Sequence, residues 1–379
     1  MTIAKKRKRR KICFLSIQSY PLYNKIYQSQ FFGGGAAVQL FILSKEFGKD
    51  ENYDVNVIVG NYQKVKNKIE IINNLKVYNV RPFSRKITYY FLSLIHIFIT
   101  LIKINPDVVI QRAASKITGI CAFYCKIFKK KFIYSIANLT DVNGKNEKGF
   151  FGKMYRFGLN SASFLVAQNK EQIEELEKYK KRKFKNISII RNSYQIKKTF
   201  MEKKEYILWV ARAINWKRPE LFIKLAKIFP NEKFVMICNK TDDKEHNIRY
   251  WNKIHNEASE ITNLTFIEFV PYYKVSQYFK EAKIFINTSK FEGFPNTFIQ
   301  SFINKIPVIS LNVNPDNIFL KYKLGYLCND SFSMMVNRLN EMLRNEKIYK
   351  EFSQNCYQFV NQFHDIRKNI ELWKFLVEK

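Results

Sequence analysis

Acidic residues are scarce: 32 Asp and Glu stand against 65 Lys and Arg in 379 residues, a formal net charge of +33. Such a deficit calls for an anionic partner or a compositional cause, and three accounts compete: a nucleic-acid surface, an anionic membrane surface, and a codon bias toward Lys, Asn, Ile, Phe and Tyr. Basic residues are spread over almost every segment, as codon bias requires, and no stretch interleaves them with stacking aromatics, so no nucleic-acid partner is expected. Glycine and proline are also few, 12 and 9, which excludes collagen-like and compositionally disordered chains. The six cysteines (13, 121, 125, 238, 328 and 356) form no CxxC pair and have no histidine at ligand spacing, so no metal site is expected. They read as reduced thiols of a cytoplasmic protein, with Cys121 and Cys125 on one buried helix face. A spanning segment is lacking too. The apolar stretch 87–104 carries Thr88, Ser93, His96, Thr100 and Lys103 and runs into Pro106, the pattern of a buried or interfacial amphipathic helix. The short apolar run 12–17 reads as a first strand, not a signal peptide.

What is present is core-forming material. Hydrophobic residues make up 46% and aromatics 16%, and the length suits two domains. Strand-like runs fall at 12–18, 54–59, 75–79, 108–111, 132–135, 164–168 and 187–190, with helical periodicity at 36–47, 89–103, 115–128 and 170–179. After a polar, basic stretch a second series begins, with strands at 207–211, 234–238, 264–270, 284–287 and 308–311 and helices at 219–228 and 275–282. The expected organisation is a basic tail at 1–11, an acceptor-side domain at 12–192, a linker at 193–204, a donor-binding domain at 205–347, and C-terminal helices at 348–379 returning toward the first domain. The fold class is α/β, with two Rossmann-like doubly wound domains facing across a cleft, and function is expected in the strand-to-helix loops.

Three loops carry candidate chemistry. Ser289-Lys290-Phe291-Glu292-Gly293-Phe294-Pro295-Asn296-Thr297 follows a strand and enters a helix, with Pro295 suited to its first turn; N–H groups there favour phosphate oxygens, and Glu292 suits hydroxyls. A ligand with a diphosphate and a polyol, such as a nucleotide sugar, satisfies both. In the second loop, a strand ends in Arg212, and Lys217 and Arg218 follow before a helix opened by Pro219 and Glu220; the guanidinium of Arg212 and the ammonium of Lys217 can neutralise a diphosphate. The third is Gly33-Gly34-Gly35, where glycine permits close backbone approach; it is not a GxGxxG fingerprint.

These segments resemble the family four retaining glycosyltransferases, which have the GT-B fold. The likeness rests on Arg212-x4-Lys217, on the EGFPN sequence at 292–296 within an E-x7-E type motif, on the segments 307–311 and 324–327, and more generically on 33–37, 105–109 and 191–192. It implies that Arg212 and Lys217 bind the donor diphosphate and, with Glu292, form the catalytic set. It implies further that Glu292 contacts sugar hydroxyls, that Gly293, Phe294, Pro295, Asn296 and Thr297 hold sugar and phosphate, that Gly33–Gly35 approach the diphosphate, and that the loops after Cys238 and Val270 border the base. Two departures stand out. Gln300 occupies the place of the second acidic residue, which loses charge-assisted bonds to ribose worth about 1–2 kcal/mol. The segment 135–141 lacks the histidine often found there, leaving Asn138 or Asp141 as substitutes.

The expected activity is metal-independent, retaining transfer of a hexose from a nucleotide diphosphate sugar to a glycan or lipid-linked acceptor, without a cofactor, in bacterial envelope or capsule assembly. Peripheral contact with the anionic inner face of the cell membrane is expected through the basic run 5–11, the helix 87–104 and the basic cluster 178–185. The alternative is a catalytically silent member that binds a glycan or a partner protein.

Overall fold

The computed structural model describes residues 9–24, 26–27, 33–60, 68–81, 87–197, 204–241 and 245–379. The chain divides into two compact units, one of residues 1–193 with 366–379 and the other of 194–365.

The first unit contains β1 (Arg10–Leu15), α1 (Tyr20–Tyr23), α2 (Gly35–Phe47), β2 (Tyr53–Gly60), β3 (Ile69–Ile72), β4 (Leu75–Val80), α3 (Ile87–Ile104), β5 (Val108–Arg112), α4 (Lys116–Ile127), β6 (Lys131–Ser135), α5 (Gly149–Asn160), β7 (Phe164–Ala167), α6 (Lys170–Lys180) and β8 (Ile187–Ile189). Its eight strands lie in the order β3-β4-β2-β1-β5-β6-β7-β8, all neighbours parallel except the β3–β4 pair. Both faces are covered, as a parallel sheet requires. Alternation along β1 shows why: Ile12 and Phe14 join the core shared with α2 residues Leu40, Leu43 and Phe47, while Cys13 and Leu15 join the core on the opposite face with Ile97, Leu101, Cys121 and Tyr124.

The second unit contains β9 (Tyr206–Arg212), α7 (Pro219–Ile228), β10 (Phe234–Asn239), α8 (Glu245–Ser259), β11 (Leu264–Ile267), α9 (Tyr272–Glu281), β12 (Ala282–Asn287), α10 (Asn296–Ile303), β13 (Val308–Ser310), α11 (Ile318–Tyr322), β14 (Gly325–Leu327), α12 (Phe332–Arg344) and α13 (Glu346–Phe363). Its six parallel strands run β11-β10-β9-β12-β13-β14. The order reverses at β9 and β12, whose carboxyl ends flank the place where open α/β sheets bind ligands.

The C-terminal stretch does not act as one body. Helix α13 belongs to the second unit, whereas α14 (Ile366–Glu378) belongs to the first, where Ile370, Trp373, Leu376 and Val377 enter the core beside α2. Two further expectations need correction. The sequence pattern misses β3, a short antiparallel edge strand with exposed Ile69 and Ile71, and β14, only three residues long.

Candidate functional site: the β9 and β12 loops of the second unit

Arg212 is the last residue of β9 and Asn287 the last of β12, the two strands that pair at the switch point. The chain after β9 makes one short helical turn, Asn215–Lys217, and Arg218 then adopts φ 49° and ψ 53° before Pro219 opens α7. This turn is tied to the loop after β12 at several points. Thr288 Oγ1 donates to the Lys217 carbonyl at 2.5 Å, Trp209 Nε1 donates to Thr288 Oγ1 at 2.9 Å, Arg218 Nε donates to the Thr288 carbonyl at 2.7 Å, and Lys290 N donates to the Trp216 carbonyl at 2.8 Å. Arg218 also reaches Asp330 Oδ1 at 2.5 Å.

The fastened loops set Lys217 against Glu292. Lys217 Nζ lies 2.6 Å from Glu292 Oε2, with side chains 16% and 18% exposed. Asn287 Nδ2 donates to the other carboxylate oxygen at 3.0 Å, and Asn287 Oδ1 accepts from Ser289 N at 3.2 Å. Burial pushes the Glu292 carboxyl up, but the Lys217 ammonium and hydrogen bonds from Lys217, Asn287 and Ser289 outweigh it and hold the pKa below its ordinary value. The Glu292 carboxylate therefore faces a cation. Trp216 and Phe291 stack above the joined loops, ring centroids 6.0 Å apart and planes 13° from parallel, both more than one-third exposed.

Helix α10 starts one residue later than Pro295 suggested. Pro295 is its N-cap, and Asn296 and Thr297, both half-buried, form the first turn. Gly293 is buried and Gln300 half-buried on the second turn. The side chains of Phe294 and Val270 are buried: Phe294 is 5% exposed, with its ring centroid 4.6 Å from that of His364, and Val270 is 6% exposed.

In the first unit, Gly34 is the N-cap of α2 and its carbonyl accepts from Ala37 and Val38 N, with half-buried Gly33 before it and exposed Gly35 after it. Asp141 is committed to its own loop. It is 3% exposed and its Oδ2 accepts from Ala137 N at 2.8 Å, so it serves to close its own loop; burial is the main reason its pKa is raised. Asn138 N-caps the same turn and stays half-buried. All six cysteines are buried and unpaired, and burial raises their pKa values.

The sequence gives no role to Thr288, Asn287 or Arg218, which organise the site. Their signal is the polar run Asn287-Thr288-Ser289 immediately after an apolar strand: all three are at least 95% buried, and buried polar groups at a strand's carboxyl end must be committed to hydrogen bonds.

Comparison with known proteins follows this division of the chain. Residues 191–359 match the family described as Glycosyl transferases group 1, and residues 11–169 match Glycosyl transferase 4-like. Together they support a GT-B glycosyltransferase. An uncharacterised glycosyltransferase of Methanocaldococcus jannaschii is 22% identical over 380 aligned positions, covering 91% of this chain and 95% of that one. Sucrose-phosphate synthase from Thermosynechococcus elongatus superposes with a TM-score of 0.78 at 11% identity, covering 98% of each chain. The Anabaena protein HepE, in complex with UDP and glucose, superposes with a TM-score of 0.72 at 14% identity, covering 98% of this chain and 100% of that one. These likenesses show the GT-B fold.

Proposed function

We propose that the chain is a retaining, metal-independent hexosyltransferase of glycosyltransferase family four, which takes a nucleotide diphosphate sugar as donor and a glycan or lipid-linked acceptor of envelope or capsular polysaccharide. One observation carries the reading: the Lys217–Glu292 pair, held at the β9/β12 switch point beside the start of α10. A lone cation there would suit any anion; a cation sharing its charge with a carboxylate suits a ligand that presents phosphate oxygens next to hydroxyls. That HepE is described in complex with UDP and with UDP-glucose supports a uridine diphosphate donor.

In this mechanism Lys217, oriented by Glu292, and Arg212 neutralise the charge that grows on the diphosphate as the glycosidic bond breaks, electrostatic stabilisation of the kind that usually contributes most to catalysis. The N–H groups of Asn296 and Thr297 add to it, and Glu292 accepts from sugar hydroxyls. The leaving diphosphate takes the acceptor proton on the face it departs from, so configuration is retained. No second carboxylate at glycosidase separation enters.

The test is thermal unfolding of the whole chain with UDP, GDP, ADP, CMP and their sugar conjugates. At a hundredfold excess over Kd a ligand stabilises by about 2.7 kcal/mol, so one diphosphate class should raise Tm by several degrees. Lys217→Ala and Glu292→Ala should each lower turnover at least tenfold with the fold intact, and near-normal rates in both would overturn the assignment. Nucleotide binding without transfer or donor hydrolysis would favour the silent scaffold, for which Gln300 speaks.

A further inference from the structure

The helices α3, α4 and α5 contain no Asp or Glu at all. Between residues 82 and 170 the only acidic residues are Asp107, Asp141 and Glu147, and none of them projects an unbalanced charge: Asp107 Oδ1 lies 3.6 Å from Lys130 Nζ, Asp141 is buried, and Glu147 Oε1 lies 2.5 Å from Lys180 Nζ. Lys103, Lys126, Lys129, Lys148, Lys153 and Arg156 of the same region are exposed.

Within this electropositive region lies a broad apolar surface. Leu92, Ile95, Ile99 and Ile102 recur at three- and four-residue spacing along α3 and are 43–53% exposed, as is Tyr89 one turn earlier. The stripe continues across the neighbouring helices. Phe98 of α3 lies 5.8 Å from Phe123 and 6.4 Å from Phe128, and Phe91 lies 6.3 Å from Phe151 at the start of α5. Phe123, Ile127, Phe128 and Phe150 are themselves 41–64% exposed. An apolar face of this extent on helices whose exposed charges are all of one sign marks an interaction site.

The opposite face of α3 decides what kind. Leu94, Ile97, Leu101 and Ile104 are buried in the core, along with Ser93 and Thr100, so the helix is committed to the sheet on one side, and no helix among the described residues is long and apolar enough to cross a membrane. A second copy is disfavoured because it would bring two cationic rims together. We infer that the α3–α4–α5 face lies flat on an anionic lipid bilayer, with the α3 stripe and the Phe123, Phe128 and Phe150 rings at acyl-chain depth and the lysines among the headgroups.

Of the three segments from which membrane contact is expected, this face contains the helix 87–104. Of the basic run, residues 5–8 lie outside the described residues, while Arg9, Arg10 and Lys11 are tied to backbone carbonyls of Tyr53, Val377 and Ile104. In the cluster at 178–185, Lys180 is paired with Glu147 and Lys183 with Glu177, while Lys178, Lys181, Arg182 and Lys185 are exposed.

Flotation of the full chain with vesicles of phosphatidylcholine containing roughly one-third phosphatidylglycerol tests the inference. The wild type should float with them, far less with pure phosphatidylcholine, and lose binding at least tenfold between about 0.1 and 0.5 M salt. Ile95→Glu/Ile99→Glu, both on the exposed stripe, should abolish flotation while leaving the Tm shift with a donor nucleotide unchanged. That second readout separates failure here from failure of the transferase reading. Flotation unaffected by the double variant would overturn the inference. So would absence of flotation, whether the chain is a monomer by light scattering or a dimer that the double variant dissociates.

Discussion

Replacing Glu292 by Gln keeps shape and removes the charge that faces Lys217. At 2.6 Å and an effective dielectric of about 20, the gross attraction is roughly 6 kcal/mol, but desolvating two side chains more than four-fifths buried cancels most of it. What remains is a charge-assisted hydrogen bond of about 1.5–3 kcal/mol. A double-mutant cycle of Lys217→Met and Glu292→Gln should thus give a coupling energy near 2 kcal/mol, read by denaturant unfolding with tryptophan fluorescence, for which Trp209, Trp216 and Trp251 all lie in the second unit. On heating, Glu292→Gln alone should lower that unit's transition by about 4–8 °C, at ~2–4 °C per kcal/mol. The pH dependence has a definite sign. Because Lys217 holds the folded carboxyl below its ordinary value of 4.5, its stabilisation is fully present above the unfolded pKa and fades as pH falls through the folded one. The gap between wild type and Glu292→Gln should therefore be constant near neutrality and close on acidification below about 4.5. A coupling under about 0.5 kcal/mol, or a gap that widens in acid, would refute the argument that this pair organises the site.

Three other outcomes are expected. Gln300→Glu should tighten nucleoside diphosphate binding about tenfold by restoring charge-assisted bonds to ribose hydroxyls, as isothermal calorimetry would read, and weaker binding would place Gln300 away from the ribose. Asp141→Ala should cost about 2–4 kcal/mol by leaving buried N–H donors unpaired, with Asp141→Asn costing less because its amide oxygen still accepts; equal costs would show that charge, not acceptance, matters there. Gly325→Ala should prevent accumulation of folded protein or lower stability by at least about 3 kcal/mol, since Gly325 has φ 136° and a Cβ would stand 1.9 Å from the Val308 carbonyl oxygen.

How much of this was legible in the sequence follows from how local each signal is. Strands buried on both faces read directly as runs of Val, Ile and Phe, so β5, β6, β10 and β12 fall within two residues of where hydrophobicity puts them. Edge strand β3 alternates exposed and half-buried residues, and a four-residue amphipathic strand is indistinguishable from a loop until its partner is known. Helices α5 and α8 are obscured by composition: α5 contains Gly149, Gly152 and Gly158 and α8 contains Asn247, Asn252 and Asn256, residue types of low helix propensity. The site divides in the same way. Arg212, Lys217, Glu292 and Asn296 are legible because each sits at a fixed offset from a strand end or helix start. Their mutual geometry is not, because 74 residues of chain lie between Lys217 and Glu292 and only the β9–β12 pairing brings their loops together. Thr288 makes this concrete. As a residue type it is unremarkable, yet with its side chain and carbonyl it fastens Lys217, Trp209 and Arg218 in one place, and without that fastening a lysine on a surface turn would have no reason to meet a carboxylate. The candidate residues of the loops are written in local sequence, and their convergence is a property of strand order.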